Sequence, residues 1–102
     1  MNLSNRIIAD LKKLALIYGI SKIVLFGSRA RGDNGDKSDV DIAVYGCRDF
    51  MNFKLDVEEK VWTLLTFDIV NMDESISGEL AGEIRRDGVV IYEKYGDAIE
   101  SL

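Results

Sequence analysis

Apolar residues near the start of the chain recur at helical spacing. Ser4 can cap the beginning of this helix, and Gly19 can end it. The apolar positions of the predicted helix are Ile7, Ile8, Leu11, Leu14 and Ala15. The next apolar run, KIVLF at residues 22–26, is unbroken and predicts a buried strand.

In residues 39–45, DVDIAVY, every second residue is a branched apolar one. In a strand, successive side chains point to opposite faces of the sheet. One face then carries Val40, Ile42 and Val44, and the other carries Asp39, Asp41 and Ala43. The pattern therefore places two carboxylates side by side on one face of a strand.

The second half of the chain contains two more helical patterns and two more strand candidates. The first helix, at about residues 50–65, carries Phe53, Val57, Val61 and Leu64, and TFDIVNM then gives a strand that Asp68 interrupts. The second carries Ile76, Leu80 and Ile84, ends at Gly88, and is followed by the strand VVIY.

The resulting order is helix, strand, strand, helix, strand, helix, strand, which predicts an α/β or α+β domain. At 102 residues the chain is expected to be one domain, residues 1–102, too small for a core and a separate substrate domain. The tail EKYGDAIESL is weakly patterned and fits either a frayed helix or a contact with a partner.

Charge and residue usage exclude several classes of function. The net charge of −5 argues against a broad electrostatic contact with a polynucleotide. Asp10, Lys12 and Lys13 interrupt the first apolar segment, which argues against a signal peptide or a membrane span. We therefore expect a cytoplasmic protein without membrane contact.

The chain has no histidine and one cysteine, Cys47. Ser-His-Asp and Cys-His catalysis and a thiolate metal cage are thereby excluded, so a metal here would be a hard cation on carboxylates. Cys47 fits an inert residue at a strand end. Trp62 fits the core or an interface better than a platform for base stacking.

Gly27 and Ser28 directly follow a predicted strand. A glycine lets backbone N–H groups approach an anion, and a serine hydroxyl can donate to a phosphate oxygen. No Walker A motif is present, and a simple turn at the end of the strand is the alternative. Arg29, Arg31 and Lys37 could attract a triphosphate, although Arg31 could instead pair with Asp33 or Asp36.

Asp39 and Asp41 on one strand face repel each other, so the pair costs stability unless cations neutralise it. Two divalent metal ions would do so and could assist a phosphoryl transfer. Asp68, in a separate apolar strand, would supply a third carboxylate. The alternatives are a solvated strand face for the pair and a half-exposed strand position for Asp68.

Gly27-Ser28, a ten-residue gap and Asp39-Val40-Asp41, set in LFGSRARG and SDVDIAV, resemble the signature of the DNA polymerase beta-like nucleotidyltransferases. The length and the Ala-Arg-Gly after Ser28 resemble the minimal nucleotidyltransferase branch. The resemblance covers essentially the whole chain. It implies a mixed sheet of about four strands flanked by helices, and transfer of a nucleoside monophosphate from a nucleoside triphosphate.

By the same resemblance, Gly27 and Ser28 would hold the triphosphate of ATP. Arg29 and Arg31 are predicted to contact the nucleotide beside them because of their charge. Asp39 and Asp41 would bind two Mg²⁺ ions. Asp68 would complete the metal site and help to remove the proton from the attacking hydroxyl.

Minimal members of the group are typically found with a HEPN-domain protein, an all-helical toxin, and act as its antitoxin. The resemblance therefore implies transfer of AMP to a hydroxyl of such a toxin, in particular a tyrosine. Two alternatives stay open: a non-catalytic antitoxin that neutralises its partner by occlusion, and nucleotidyl transfer to a small molecule such as an aminoglycoside.

Overall fold

A computed structural model describes residues 1–95 of the chain. The elements in chain order are α1 Asn5–Ile17, β1 Lys22–Phe26, α2 Gly27–Arg31, β2 Val40–Tyr45, α3 Phe50–Lys60, β3 Phe67–Asn71, α4 Gly78–Asp87 and β4 Val89–Glu93. Residues 96–102, which make up most of the weakly patterned tail, lie outside the described part. None of the helices in residues 1–95 has the length and apolar character needed to cross a membrane.

The four strands form one mixed sheet in the order β3-β2-β1-β4. Strand β1 is antiparallel to both β2 and β4, whereas β2 and β3 run parallel. Each prediction of a strand is confirmed, and so is the mixed four-strand sheet flanked by helices. Because β2 and β3 are parallel, residues 40 and 67 begin their strands at the same end of the sheet.

The sheet has a large core on one face and a smaller one on the other. Helices α1 and α3 cover the first face, where the buried side chains include Leu11, Phe53, Val57, Val40 and Ile42. Helix α4 covers part of the second face, where Ile84 packs with Val24, Phe26 and Ala43. Alternation along β2 therefore places Asp41 on the second face, beside Ala43.

Helix starts and stops follow the side chains that the sequence offers. The Ser4 hydroxyl accepts a hydrogen bond from the Ile7 N–H, and the Ser77 hydroxyl accepts one from the Leu80 N–H. Helix α3 begins after Asp49, whose carboxylate accepts from the Asn52 N–H. These caps fix where the chain enters each helix.

Three details of the predicted elements are wrong. Ile76 lies before α4, which begins at Gly78 because Ser77 caps it. Helix α3 ends at Lys60, not near residue 65, because the Thr63 hydroxyl accepts a hydrogen bond from the Leu65 N–H and favours a turn. Leu64 is consequently fully exposed, and Trp62, 79% exposed, is not a core residue. Residues 27–31 form the short helix α2 where a turn was expected, since five residues are too few to show helical periodicity.

Candidate active site

Gly27 lies where β1 turns into α2, and it is packed against Asp41. Its φ angle of +73° is in the left-handed region that favours glycine. A Cβ atom at this position would lie 2.3 Å from Oδ2 of Asp41. The register of the sheet explains this closeness, since Phe26, the residue before Gly27, is the partner of Asp41 in the antiparallel β1–β2 pair. The structure thus brings the Gly-Ser pair directly against one of the predicted carboxylates.

The three predicted carboxylates come from two neighbouring strands at one end of the sheet. Asp41 and Asp68 are direct partners in the parallel β2–β3 pair. Asp39 precedes the first residue of β2 and is exposed, as is Asp68, whereas Asp41 is partly buried. The register of β2 and β3 therefore places the third predicted acid, Asp68, beside Asp41.

The surroundings of Asp41 disfavour its charged form. Burial is the largest cause, followed by the negative charges of Asp68, Asp39 and Glu83, and together they raise the pKa of Asp41 to about 6. Arg31 opposes this shift with its positive charge. A partly buried acid with a pKa near neutrality is typical of a functional site.

The chemistry of this donor set fits a hard divalent cation. All three side chains offer carboxylate oxygens. A bound cation would favour the charged form of Asp41, whose pKa is raised by burial and, to a lesser extent, by Asp68 and Asp39. Among residues 1–95, no three His, Cys, Asp or Glu side chains are arranged to hold a metal ion. The exposed carboxylates of Asp39 and Asp68 would therefore have to rotate toward Asp41, and the assignment of metal ligands stays a prediction.

Arg29 is buried and organises the loop between α2 and β2. Its guanidinium donates to the backbone carbonyls of Ser38 at 2.9 Å, Asp36 at 3.2 Å and Asn2 at 3.2 Å. Its own carbonyl accepts from the Asn2 N–H at 2.7 Å. These contacts favour a structural role for Arg29, since they hold the segment that leads into Asp39, and its predicted contact with nucleotide has no support in this geometry.

Arg31 is bound to two aspartates. Its Nε atom donates to Asp33 at 3.0 Å, and its NH1 atom donates to Asp87, at the end of α4, at 2.8 Å. The loop-bracing alternative for Arg31 is therefore confirmed for Asp33. The partner Asp87, 56 positions along the chain, was missed because no local pattern connects α2 with α4. Ser28, one turn before Arg31, is partly buried on the same short helix.

The start of α2 has no side chain that caps it. Phe26 occupies the capping position, so the first backbone N–H groups after Gly27 are not bonded by a capping hydroxyl or carboxylate. Gly27, which precedes these groups, lies beside the Asp41 carboxylate. Backbone N–H donors that can bind an anion are thus adjacent to carboxylates that can bind a metal ion. A phosphate bound to a metal ion requires this arrangement.

Comparison with known proteins assigns the family. The family model for "Polymerase beta, Nucleotidyltransferase" matches residues 6–97. The chain belongs to the polymerase beta nucleotidyltransferase family. The match includes Gly27, Ser28 and all three aspartates of the candidate site, so the family model covers every residue of that site.

One curated relative is the Methanocaldococcus jannaschii protein named "Putative protein adenylyltransferase MJ0604". It is 45% identical over 51 residues, which make up 50% of this chain and 48% of the relative. The match thus spans about half the length of that relative.

Solved structures of toxin-antitoxin proteins share the fold. A toxin-antitoxin crystal structure with AMP-PNP gives a TM-score of 0.63 at 24% identity, covering 92% of this chain and 77% of that chain. A mutant of the toxin-antitoxin MntA-HpeT gives a TM-score of 0.66 at 21% identity, covering 88% and 76%. These similarities confirm the nucleotidyltransferase fold predicted from the sequence.

Proposed function

We propose that this chain transfers AMP from ATP to a hydroxyl group of a protein partner and acts as the antitoxin of that partner. The observation that carries the proposal is the packing of Gly27 against Asp41, with Asp68 beside Asp41 in the sheet register. It joins an anion-binding turn to a cluster of carboxylates at one end of the sheet. Membership of a nucleotidyltransferase family supports the same reaction class.

In this reaction the acceptor oxygen attacks the α-phosphorus of ATP. A new P–O bond forms to the acceptor, the bond from the α-phosphorus to the bridging oxygen breaks, and pyrophosphate leaves. Gly27 and Ser28 hold the triphosphate, and Asp68 receives the proton of the attacking hydroxyl. Asp39 and Asp41 would hold Mg²⁺, which would supply positive charge that stabilises the transferring phosphate.

The proposed acceptor is a tyrosine of a HEPN-type toxin. A curated relative carries the name of a protein adenylyltransferase, and the similar solved structures are those of toxin-antitoxin proteins. Asp39 and Asp68 are exposed, so the carboxylate cluster opens to solvent, where a side chain of a second protein can approach.

The test first searches the neighbouring reading frame for a HEPN-type protein, then combines that protein with the chain, ATP and Mg²⁺ and follows the mass of both proteins. We expect one or more AMP increments on the partner and pyrophosphate in solution. The variant with both Asp39→Asn and Asp41→Asn should abolish the increments but still bind the partner. Labelling that persists in this variant would overturn the assigned carboxylates.

A non-catalytic antitoxin gives a different result in the same system. If occlusion is sufficient, the double Asn variant suppresses the toxin on co-expression as well as the natural chain does. We expect it to lose suppression while the complex still forms, because neutralisation requires the modification.

A further inference from the structure

Asp87 is a nearly buried carboxylate at the end of α4. Its side chain is 6% exposed, and α4 ends at this residue. The last backbone carbonyls of a helix carry partial negative charge, so an acid at this position is unfavourable for the helix itself. The charge of Asp87 therefore has to be balanced by cations from its surroundings.

Two guanidinium groups balance this charge. Arg31 donates through NH1 to Oδ2 of Asp87 at 2.8 Å. Arg86 donates through Nε to Oδ1 and through NH2 to Oδ2, both at 3.1 Å. The hydrogen bonds from Arg86 and Arg31 lower the pKa of Asp87, although its burial acts in the opposite direction. The carboxylate therefore stays charged at neutral pH and is held in one orientation.

The Arg31 guanidinium keeps free N–H groups although it is bonded at two points. Its Nε donates to Asp33 at 3.0 Å, and its NH1 donates to Asp87. A guanidinium carries five N–H groups, and these two bonds use only two of them. Within residues 1–95, NH2 of Arg31 makes no hydrogen bond, and the side chain is 42% exposed. Arg31 is thus fixed in place with donors left for a ligand.

The bonded guanidinium lies at the candidate active site. Ser28 precedes Arg31 by three positions, so both side chains lie on the same face of α2. The Asp33 N–H donates to the Ser28 carbonyl at 3.1 Å, which keeps this partner of Arg31 beside the turn. The charge of Arg31 also opposes the rise in the pKa of Asp41 that burial and the neighbouring acids cause. Arg31 is therefore close to both Ser28 and Asp41.

The core fixes the position of Asp87 relative to these residues. Ile84, almost one turn before Asp87, is buried against Phe26 and Ala43. Phe26 is the last residue of β1 before α2, and Ala43 points to the same face of β2 as Asp41. Helix α4 is thus anchored to the part of the sheet from which the active-site turn begins.

We infer that Asp87 is a positioning residue that holds the Arg31 guanidinium in place to bind the triphosphate of ATP. The inference rests on the proposed function, because it concerns the same nucleotide site. Arg31 contacts the phosphates through its unbonded N–H groups, and Asp87 acts only through Arg31.

The proposed contribution of Arg31 is directional. Two aspartates and two arginines meet at the end of α4, so their charges cancel and the group does not attract an anion by net charge. The planar guanidinium instead presents N–H groups whose geometry matches phosphate oxygens. A guanidinium that is already ordered loses little further conformational entropy when the phosphate binds.

The first test measures binding of a non-hydrolysable ATP analogue with Mg²⁺ by titration calorimetry, without a partner protein. Arg31→Ala should raise Kd about tenfold or more, since a charge-assisted hydrogen bond to phosphate is lost. Asp87→Ala should raise Kd about fivefold, because the guanidinium keeps its charge but loses its fixed position. Lys60→Ala is the matched control: it removes an ion pair with Asp56 on α3 and should leave Kd within about twofold.

A double variant tests whether Asp87 acts through Arg31. With both Arg31→Ala and Asp87→Ala, the chain should bind the analogue no more weakly than Arg31→Ala alone. Independent effects would multiply to about 50-fold or more and would overturn the inference. Tighter binding by Asp87→Ala alone would show that the ion pair holds Arg31 away from the nucleotide, which would overturn it too.

Asp87→Asn is a second variant that keeps the shape of the side chain. Its amide oxygen can still accept a hydrogen bond from a guanidinium, but without charge, so Kd should rise about threefold, less than for Asp87→Ala. Urea unfolding measures the stability of both variants separately. A loss of stability with an unchanged Kd would assign Asp87 a purely structural role and contradict the inference.

The two proposals fail in different ways. In the AMP-transfer assay, Asp87→Ala should raise KM for ATP and leave KM for the acceptor protein within about twofold. The expected series of Kd values without any AMP transfer supports the positioning role and contradicts the adenylyltransferase. AMP transfer with an unchanged KM for ATP in Asp87→Ala supports the adenylyltransferase and contradicts the positioning role.

Discussion

Gly27 and Asp41 lie closer together than any side chain at position 27 would allow. A Cβ atom there would approach Oδ2 of Asp41 to 2.3 Å and its Cγ to 3.2 Å. The positive φ angle of Gly27 adds a second, independent demand for glycine. The end of β1 therefore fixes where the carboxylate of β2 points.

Gly27→Ala should inactivate the protein without unfolding it. The Asp41 side chain can rotate away from the new methyl group, so the stability cost is mainly the strain of the left-handed backbone, about 1–2 kcal/mol. The rotated carboxylate no longer faces the turn, and transfer of AMP should fall about 100-fold or more. Urea unfolding and the AMP-transfer assay measure the two effects.

Gly32→Ala provides the control for this prediction. Gly32 also has a positive φ, +87°, but no atom lies within 4 Å of its missing Cβ. The Gly32→Ala variant should lose a similar amount of stability, about 1–2 kcal/mol, and keep its AMP-transfer activity. Equal loss of activity in both variants would show that strain, not the contact with Asp41, controls the site.

The raised pKa of Asp41 predicts how stability depends on pH. The folded chain binds the Asp41 proton with a pKa of about 6 instead of 3.8, so it holds more protons than the unfolded chain between these values. Stability is then lost as pH rises from about 4 through 6. Without divalent cations at pH 7, the free energy of unfolding of Asp41→Asn should exceed that of the natural chain by on the order of 1 kcal/mol, a figure reduced to allow for solvent screening. At pH 4 the two free energies of unfolding should be equal.

Urea unfolding in a chelator at pH 4, 5, 6 and 7 checks this prediction. Asp10→Asn, which removes the same charge from α1, should show no such gain at pH 7. A constant difference between Asp41→Asn and the natural chain across the series would contradict the pKa assignment.

Local patterns predicted most of the elements, because their signals lie within a few residues. Ser4 caps α1 as expected, and the spacing of Ile84 with Leu80 correctly marks α4. The strict alternation of DVDIAVY placed Asp41 opposite Ile42, as the two cores show. The extension of α3 to Leu64 failed because helical spacing does not register the competing Thr63 hydrogen bond.

The site was only partly accessible from the sequence. The pairing of Asp41 with Asp68 depends on the parallel register of β2 and β3, which hydrophobic periodicity does not specify. The burial of Arg29 could not be predicted, because its partners are backbone carbonyls. Every residue carries such a carbonyl, so the sequence does not mark the ones that Arg29 contacts. Contacts of this kind become visible only when the chain is folded.

Mg²⁺ should stabilise the chain through the carboxylates. A cation that binds only the folded protein raises its melting temperature by mass action, and here it also removes repulsion around Asp41. We expect Mg²⁺ with a non-hydrolysable ATP analogue to raise Tm of the natural chain, and the chelator to reverse the rise. The Asp39→Asn, Asp41→Asn variant should show no rise in Tm. Glu74→Gln, which removes an exposed carboxylate outside the cluster, should show the same rise in Tm as the natural chain.

Arg29 and Arg31, only two positions apart, should respond very differently to substitution. Arg29→Ala removes a buried guanidinium and leaves the carbonyls of Ser38 and Asp36 without their donor, which should cost about 2–3 kcal/mol. Arg31→Ala removes a partly exposed side chain, and Asp87 keeps its second partner, Arg86, so this variant should lose clearly less stability than Arg29→Ala. Urea unfolding compares both variants with the natural chain. Equal losses would contradict the role assigned to Arg29, since only its contacts hold the loop before Asp39.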